Sequence, residues 1–200
     1  MKILAIRLKN LASLAGPFEI DFTAEPLASA GLFAITGPTG AGKSTLLDAL
    51  CLALFGAVPR LGDTGQAKMP DADTDISIGD PRTLIRRGTG GGYAEVDFVG
   101  VSGRRYRARW EANRARDKAS GKLQNSRQSL IDLDSDQLLA SQKTEYKTQL
   151  ELALGLNFEQ FTRAVLLAQS EFSAFLKAND NERSELLEKL TDTALYTQLG

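Results

Sequence analysis

The 200-residue sequence predicts an α/β domain built around a phosphate-binding loop, and three adjacent features carry that prediction. A continuous apolar run, LFAIT (residues 32–36), is typical of a central, fully buried strand. A glycine-rich segment, GPTGAGKS (residues 37–44), follows it directly. An apolar helix is then predicted from about residue 43 to 55, and Gly56 ends it.

Two further strands are predicted ahead of the loop. Residues 3–8 are mostly apolar and predict a first strand. FEIDF (residues 18–22) alternates apolar and acidic residues, as a half-buried strand does. The Gly16-Pro17 turn between them favours a hairpin.

The middle of the chain changes character. Residues 58–92 are rich in glycine and aspartate and predict irregular surface structure. YAEVDFVGV (residues 93–101) and RRYRARWEANR (residues 104–114) then alternate, so they predict two strands joined by a turn at Ser102-Gly103. QSLIDLDSDQLLA (residues 128–140) predicts one more strand and a turn.

The last third is predicted to be helical. Tyr146 begins an apolar helix face that ends at Gly155, and Phe158 opens a second face. Asn179, with Glu182 three residues on, is typical of a capped helix start. The polar helix that follows has a narrow apolar stripe, too short to establish a coiled coil. We therefore expect a main domain over residues 1–178 and the start of a long helix over 179–200.

Composition excludes several classes of function. The chain has no histidine, which excludes histidine zinc sites and histidine general bases within it. Its single cysteine, Cys51, allows no internal disulfide and fits a cytoplasmic location. The most apolar segment, residues 46–58, is too short to span a bilayer, so we expect no membrane association. With a net charge of −1, any affinity for nucleic acid must come from local clustering.

The glycine-rich segment matches the phosphate-loop pattern G-x-x-x-x-G-K-[ST] at every fixed position. Glycines let successive backbone N–H groups point inward at phosphate oxygens. Lys43 can reach the β- and γ-phosphates, and the Ser44 hydroxyl can bind Mg²⁺. The predicted ATP and Mg²⁺ site comprises Gly37, Pro38, Thr39, Gly40, Ala41, Gly42, Lys43, Ser44 and Thr45.

A catalytic carboxylate is harder to find. Hydrolysis usually needs a second acidic residue at the end of another apolar strand. Asp132 and Asp97 are candidates, but their surroundings favour structural roles. GTGGGY (residues 88–93) faintly resembles the signature of ABC-type ATPases, yet it runs into a strand instead of opening a helix. The chain is therefore predicted to bind a nucleotide without completing a catalytic site.

Three ordered blocks resemble one protein family closely. They are MKILAIRLKNLASLAGPFEIDF (residues 1–22), GLFAITGPTGAGKSTLLDALCLALFGAVPRL (31–61) and GLNFEQFTRAVLLAQSEFSAFLKANDNERSELLEKLT (155–191). Together they resemble the N-terminal part of the SbcC family, the SMC-related ATPase subunits of bacterial SbcCD exonucleases. The fold that the resemblance implies is an α/β, ABC/SMC-type P-loop half-head with N-terminal antiparallel strands, ending in the root of a coiled-coil helix.

The resemblance also implies partners and roles. A C-terminal lobe of the same protein would supply the missing carboxylates, and two heads would sandwich Mg²⁺-ATP as a homodimer. A nuclease of the SbcD type and sequence-non-specific double-stranded DNA are the other implied partners. The resemblance implies that Gln169 would touch Mg²⁺ and help to position the attacking water. Without the resemblance, the residue would be interpreted only as a capped or exposed amide. Archaeal and eukaryotic relatives carry an arginine near the position of Ala12, and this sequence has none there.

A basic segment runs from residue 104 to 127. It predicts either a solvated strand edge, or ion pairs with acids elsewhere, or contacts with phosphates. The residues alone do not decide between these, and the resemblance to a DNA-processing ATPase favours DNA backbone contact. The candidate DNA-binding residues are Arg105, Arg107, Arg109, Arg114 and Arg116.

Three other functions stay open at this point. A small-molecule kinase has a similar loop, but that loop usually follows the first strand. A structural head would bind ATP as a clamp without hydrolysing it. A membrane-transporter ATPase shares the loop but lacks the LLAQSEF block (residues 166–172) and the coiled-coil root.

Overall fold

The computed structural model describes residues 1–62, 67–72 and 74–162. The chain divides into two compact units, residues 1–155 and residues 156–200. The first unit contains a six-stranded, wholly antiparallel sheet with the strand order β2-β1-β5-β6-β7-β8. Its strands are β1 (Lys2–Lys9), β2 (Phe18–Asp21), β5 (Gly91–Val99), β6 (Arg105–Asn113), β7 (Arg127–Asp132) and β8 (Gln137–Ala140).

The alternation seen in the sequence sorts the side chains of this sheet onto two faces. One face is apolar and buried, and it includes Leu8, Val96, Ala108 and Trp110. The helix α1 (Lys43–Phe55) packs against β1, β5 and β6. Because period-2 patterning fixes which residues point inward, a register slip of one residue would expose this whole set.

Helix α1 has the bounds that the sequence predicts. It begins after the phosphate loop and ends at Gly56, whose left-handed conformation (φ 63°) lets its N–H donate to the carbonyl of Leu52. Residues 48–54 are all buried, so the helix is a core element. Cys51 lies within this run, and burial raises the pKa of its thiol to about 12, which keeps it protonated.

The helix α2 (Lys143–Leu154) covers β7 and β8. Its Tyr146 is buried, and the hydroxyl donates to the carbonyls of Ala53 (2.7 Å) and Leu54 (3.0 Å). These carbonyls belong to the last turn of α1, where intrahelical partners run out. Burial raises the pKa of this phenol well above its ordinary range. Tyr146 therefore ties the two helices together and satisfies the end of α1.

Residues 58–92 contain more regular structure than the sequence predicts. Two short 3-10 turns, Pro59–Leu61 and Pro81–Leu84, flank a small hairpin of β3 (Lys68–Asp71) and β4 (Thr74–Ser77). The hairpin is fastened by Asp71, whose buried carboxylate accepts from Arg114 (2.7 Å) and from the N–H of Leu123 (2.9 Å). Local pattern could not reveal it, because its anchors lie more than forty residues away.

Two glycines of GTGGGY, Gly90 and Gly92, are explained by close backbone approaches. A Cβ on Gly90 would meet the carbonyl of Asp117, and one on Gly92 would lie 2.6 Å from the carbonyls of Lys9 and Asn10. The segment enters β5 instead of opening a helix, as its sequence predicts. Gly90 and Gly92 therefore serve close packing at the start of β5, whereas Gly88 has open space around it and a positive φ of 80°.

Two predictions about strands were wrong. LFAIT forms no strand: residues 32–36 lie outside the sheet, and Leu32 is 93% exposed. The apolar run has no strand partner among the described residues, so it cannot be buried as a central strand would be. Residues 128–140 form two strands, not one, because the Asp132 carboxylate accepts from the N–H groups of Asp134 and Ser135 and fixes a reversal there.

The described part of the second unit is one short helix. The helix α3 (Phe158–Phe161) begins with a reciprocal capping box in which Asn157 and Gln160 exchange side-chain and backbone hydrogen bonds. The predicted boundary at residue 178, the coiled-coil root over 179–200 and Gln169 all lie outside the described residues. In the described part of the chain, no helix is long and apolar enough to cross a membrane.

Candidate nucleotide-binding site

The phosphate loop is an exposed turn that leads into α1. Gly37, Gly40 and Gly42 all have positive φ, at 155°, 84° and 95°. Backbone of this kind is accessible to glycine and strained for other residues, which explains the glycines at those positions. The segment is therefore a glycine-dependent turn, in which the N–H of Ala41 donates to the carbonyl of Pro38 at 3.2 Å.

Lys43 closes this loop from the helix side. Its ammonium nitrogen donates to the carbonyl oxygens of Gly37 (2.7 Å) and Pro38 (2.9 Å). An ammonium group has three N–H donors, so one remains for a further acceptor. The positive charge thus lies within the turn of the loop, and no carboxylate of the described residues forms an ion pair with it.

The first turn of α1 supplies the other predicted ligands. Gly42 is the N-cap in a left-handed conformation, and no side chain caps the helix, so its first N–H groups are available to an anion. Ser44 is exposed, as a hydroxyl that binds a metal ion must be. Thr45 is 6% exposed and lies against the protein interior. The first turn carries no acidic residue that would repel a phosphate.

A turn near the N-terminus forms a wall beside the loop. The side chain of Leu14 packs against Gly42 so tightly that an added Cβ would lie 2.6 Å from Leu14 Cδ2. Asn10 and Ala12 in the same turn adopt positive φ, 53° and 46°. Such left-handed non-glycine residues cost about 1–3 kcal/mol each, and they concentrate at ligand sites.

Arg86 holds this turn in place, although sequence analysis did not single it out. Its Nη1 donates to the carbonyls of Ser13 (2.6 Å) and Ala12 (3.3 Å). The backbone of Arg86 donates to Asn10, and Ala12 donates to Leu84.

The two acids considered as catalytic carboxylates are both engaged in structural pairs. Asp132 is 2% exposed and lies 2.6 Å from Arg104 Nη2. Asp97 is 6% exposed and contacts the guanidinium groups of Arg7 and Arg107. Burial acts to raise the pKa of Asp97, but these hydrogen bonds outweigh it and hold the pKa below its ordinary value.

The predicted DNA-binding arginines of β6 belong to an ion-pair ladder. Arg107 pairs with Asp97 at 2.7 Å, and Arg109 pairs with Glu95 at 3.0 Å. Arg109 also lies over the ring of Tyr93, 4.1 Å from its centroid. We call the set the sheet ladder: Arg7, Glu19, Glu95, Asp97, Arg107, Arg109 and Glu111. Its guanidinium groups already have carboxylate partners.

The remaining predicted DNA-binding residues differ in their pairing. Arg105 pairs with Asp134 at the exposed end of β6. Arg114 is drawn inward by Asp71. Arg116 is exposed in the loop between β6 and β7, and no carboxylate pairs with it among the described residues. The same holds for Lys118 and Lys122 in this loop and for Arg127 at the start of β7, which with Arg116 we call the loop cations.

This arrangement fits a nucleotide with its magnesium ion. A curved loop of N–H donors, a lysine inside it and a free helix N-terminus together bind the phosphates of nucleotides. Ser44 would hold Mg²⁺, and the ion would supply charge neutralisation between the β- and γ-phosphates. Within residues 1–62, 67–72 and 74–162, no cluster of three or more acidic, cysteine or histidine residues could hold a metal by itself.

The fold and the loop define a P-loop ATPase domain. The family model described as an AAA domain matches residues 5–199, and the chain belongs to this family. Nucleotide binding and ATPase chemistry are the activities of such domains.

Curated relatives identify the branch of the family. The chain is 71% identical to the SbcC subunit of the nuclease SbcCD from Pseudomonas aeruginosa, an alignment that covers 100% of this chain and 17% of that protein. It is 54% identical to the SbcC protein of Rhodobacter capsulatus, over 98% of this chain and 16% of that protein. It is 32% identical to the SbcC protein of Vibrio cholerae, in an alignment that covers 100% of this chain and 19% of that protein. The predicted resemblance to the N-terminal region of SbcC is confirmed, and the chain spans about a sixth of the first two relatives.

Proposed function

We propose that the chain is the ATP-binding N-terminal lobe of an SbcC-like DNA repair ATPase in the cytoplasm. Two complete heads would dimerise on Mg²⁺-ATP, bind double-stranded DNA and control access of an SbcD-like nuclease to DNA ends or hairpins. Nuclease chemistry would belong to that partner. The observation that carries the proposal is a formed phosphate loop beside an apolar segment that has no strand partner among the described residues.

That segment supports the need for a C-terminal lobe. Leu32, Phe33 and Ile35 are 93%, 49% and 45% exposed, immediately before the phosphate loop. Phe33 lies beside Phe22, just past the edge strand β2, with the two ring centroids 5.4 Å apart. Apolar side chains exposed together favour burial by a partner. Strands of the C-terminal lobe would pair with residues 32–36 and bury them.

The same division would leave the isolated chain without turnover, or nearly so. Asp97 and Asp132 hold arginines in place, and each serves the sheet instead of the loop. Lys43 and Ser44 would bind the phosphates and Mg²⁺, and Gln169 would help to position water. The carboxylate that completes the site would come from the other lobe, and the signature motif from the second head.

DNA contact is proposed mainly at the loop cations. A phosphate approaching Arg107 or Arg109 would have to compete with carboxylates that already bind them. Among the described residues Arg116, Lys118 and Lys122 face no such competition, and phosphate contact by uncompensated cations is what drives non-specific DNA binding. The other predicted DNA contacts are expected to contribute less: Arg105, Arg107, Arg109 and Arg114. Each would first have to break its ion pair with a carboxylate, and that cost would reduce the affinity gained from a phosphate contact.

Association with the C-terminal lobe tests the proposal. We would express that lobe of the Pseudomonas relative separately and titrate it against this chain, measuring the dissociation constant by calorimetry. Phe33→Asp and Ile35→Asp should weaken binding by at least about tenfold, since each places a charge in an apolar interface. Leu138→Asp is the matched control, because Leu138 is an exposed apolar residue (56%) on the edge strand β8. Equal affinity for all variants would remove the docking role of residues 32–36.

A further inference from the structure

Arg86 is fastened to the N-terminal turn by both its backbone and its side chain. Its N–H donates to the carbonyl of Asn10 at 2.9 Å, and its Nη1 reaches the carbonyl of Ser13 at 2.6 Å. These contacts join residues more than seventy positions apart. The guanidinium therefore has one fixed edge and a defined position.

That position is next to the phosphate loop. Ser13 precedes Leu14, and Leu14 is the residue that packs on Gly42, the last glycine of the loop. The carbonyl that holds Arg86 and the side chain that touches the loop thus belong to adjacent residues. Arg86 is therefore held by the turn that forms one wall of the phosphate loop, where the rest of its guanidinium is available to an anion bound at the loop.

The charge of Arg86 is uncompensated. Among the described residues no carboxylate pairs with it, in contrast to Arg107 and Arg109 of the sheet ladder. Its Nη1 is occupied by carbonyls, whereas within the described part of the chain no hydrogen bond engages Nε or Nη2. These two nitrogens form one edge of the guanidinium plane, which is the edge that binds two oxygens of a phosphate at once.

We propose that Arg86 contacts the phosphate chain of the bound nucleotide, as a second cation beside Lys43. The inference rests on the proposed binding of ATP at the phosphate loop. Carbonyls of the N-terminal turn fix Nη1, and the free Nε and Nη2 edge binds the phosphate. The strained backbone at Asn10 and Ala12 keeps those carbonyls aimed at Arg86.

The neighbouring Arg87 provides a matched control. It is exposed, carries the same charge and makes no side-chain hydrogen bond or ion pair among the described residues. Arg86→Gln and Arg87→Gln therefore remove the same charge from adjacent positions. Arg86→Lys keeps the charge but loses the planar edge.

The experiment is calorimetric titration of the 200-residue chain with Mg²⁺-ATP and with inorganic tripolyphosphate, at low and moderate salt. We expect Arg86→Gln to weaken both by about tenfold or more, with a smaller dependence on salt, because a charged contact is lost. The affinity of Arg86→Lys should lie between those of the parent chain and Arg86→Gln. The affinity of Arg87→Gln should stay within about twofold of that of the parent chain. Thermal unfolding of each variant checks that it is folded.

The outcomes separate the inference from the function beneath it. If the parent chain binds neither ligand, the nucleotide proposal fails. If the parent chain binds and Arg86→Gln binds equally well, Arg86 makes no phosphate contact. Weaker binding with an unchanged salt dependence would also overturn the contact, since it would indicate that Arg86 acts only by holding the turn.

Discussion

The ammonium nitrogen of Lys43 lies 2.7 Å from the carbonyl oxygen of Gly37, across the full width of the phosphate loop. This hydrogen bond joins the first residue of the loop to the first residue of α1. It brings a positive charge to the N-terminal end of α1, where no side chain caps the first N–H groups of the helix. The same lysine is thus both a structural closure of the loop and a donor for a phosphate.

Lys43→Ala should abolish tight nucleotide binding while leaving the fold intact. The side chain is half-buried, lies outside the core and donates to loop carbonyls, so its removal leaves the buried core unchanged. Loss of a charge-assisted hydrogen bond of about 1.5–3 kcal/mol corresponds to a roughly tenfold to hundredfold weaker complex. Titration with Mg²⁺-ATP and a parallel melting curve would measure both quantities. Unchanged affinity would contradict the role given to the loop.

Gly42→Ala should damage both stability and binding. The residue has φ 95°, and its new methyl group would lie 2.6 Å from Leu14 Cδ2. We expect a loss of about 1–3 kcal/mol in the free energy of unfolding, measured with urea. Gly103→Ala is the control, since Gly103 has φ 80° but nothing within 4 Å of the added Cβ. Equal losses for the two variants would mean that the contact with Leu14 contributes nothing.

The sheet ladder should make stability depend on pH at the acidic end. The pKa of Asp97 is held below its ordinary value in the folded chain, so the unfolded chain takes up the proton at a higher pH. The stabilisation is fully present above the unfolded pKa of about 3.9 and is lost as pH falls through the folded pKa. The free energy of unfolding of the parent chain, measured with urea, should therefore decrease below about pH 4.

Asp97→Asn isolates that contribution. At neutral pH it should cost about 1–3 kcal/mol of unfolding free energy, because Arg7 and Arg107 lose their shared partner. The variant should also lose less stability than the parent as the solution is acidified. A parallel pH dependence for the two chains would show that other carboxylates carry the effect.

Tyr146→Phe tests the tie between the two helices of the first unit. Removing the hydroxyl leaves the carbonyls of Ala53 and Leu54 buried without that donor. The expected loss is about 1–2 kcal/mol in urea unfolding, without any change in nucleotide affinity. A stability equal to that of the parent chain would mean that other donors satisfy the end of α1.

Reversing the charge of two of the loop cations, one in the loop between β6 and β7 and one at the start of β7, should weaken DNA binding. Lys122→Glu combined with Arg127→Glu removes two cations that no described carboxylate pairs with, so the affinity for duplex DNA should fall and its salt dependence should flatten. Lys147→Glu with Lys143→Glu, on α2, is the control of equal charge. Fluorescence anisotropy at several salt concentrations would measure both. Equal losses for the two double variants would make the effect one of net charge alone.

Local signals predicted the elements that depend on local physics. Helix α1 and its stop at Gly56 follow from an apolar run and a glycine cap. The strand β1 follows from a mostly apolar segment, and β5 and β6 follow from alternation. The segment at residues 32–36 did not follow, because its burial requires strands that the described residues do not contain. The residues of this segment have a high strand propensity, but they form no strand because the described residues offer them no partner strand.

In the candidate site, too, sequence analysis identified the residues that are close in sequence and missed those that folding brings together. The loop glycines, Lys43 and Ser44 form one contiguous motif, so spacing alone brought them together. The partners of Arg107 lie on neighbouring strands, and Arg86 meets Ser13 only through the folded chain. Pairings of this kind depend on register and tertiary packing, which composition does not encode. The sequence therefore left open whether the cations of β6 are paired, and in the structure Arg105, Arg107 and Arg109 are paired with carboxylates.

The most direct test of the central claim is steady-state ATP hydrolysis with Mg²⁺, by this chain alone and after addition of the separately expressed C-terminal lobe of the Pseudomonas relative. The account predicts negligible turnover by the chain alone and restored turnover with the lobe, abolished by Lys43→Ala. Robust turnover by the chain alone would contradict it, because the catalytic carboxylate would then lie within these 200 residues.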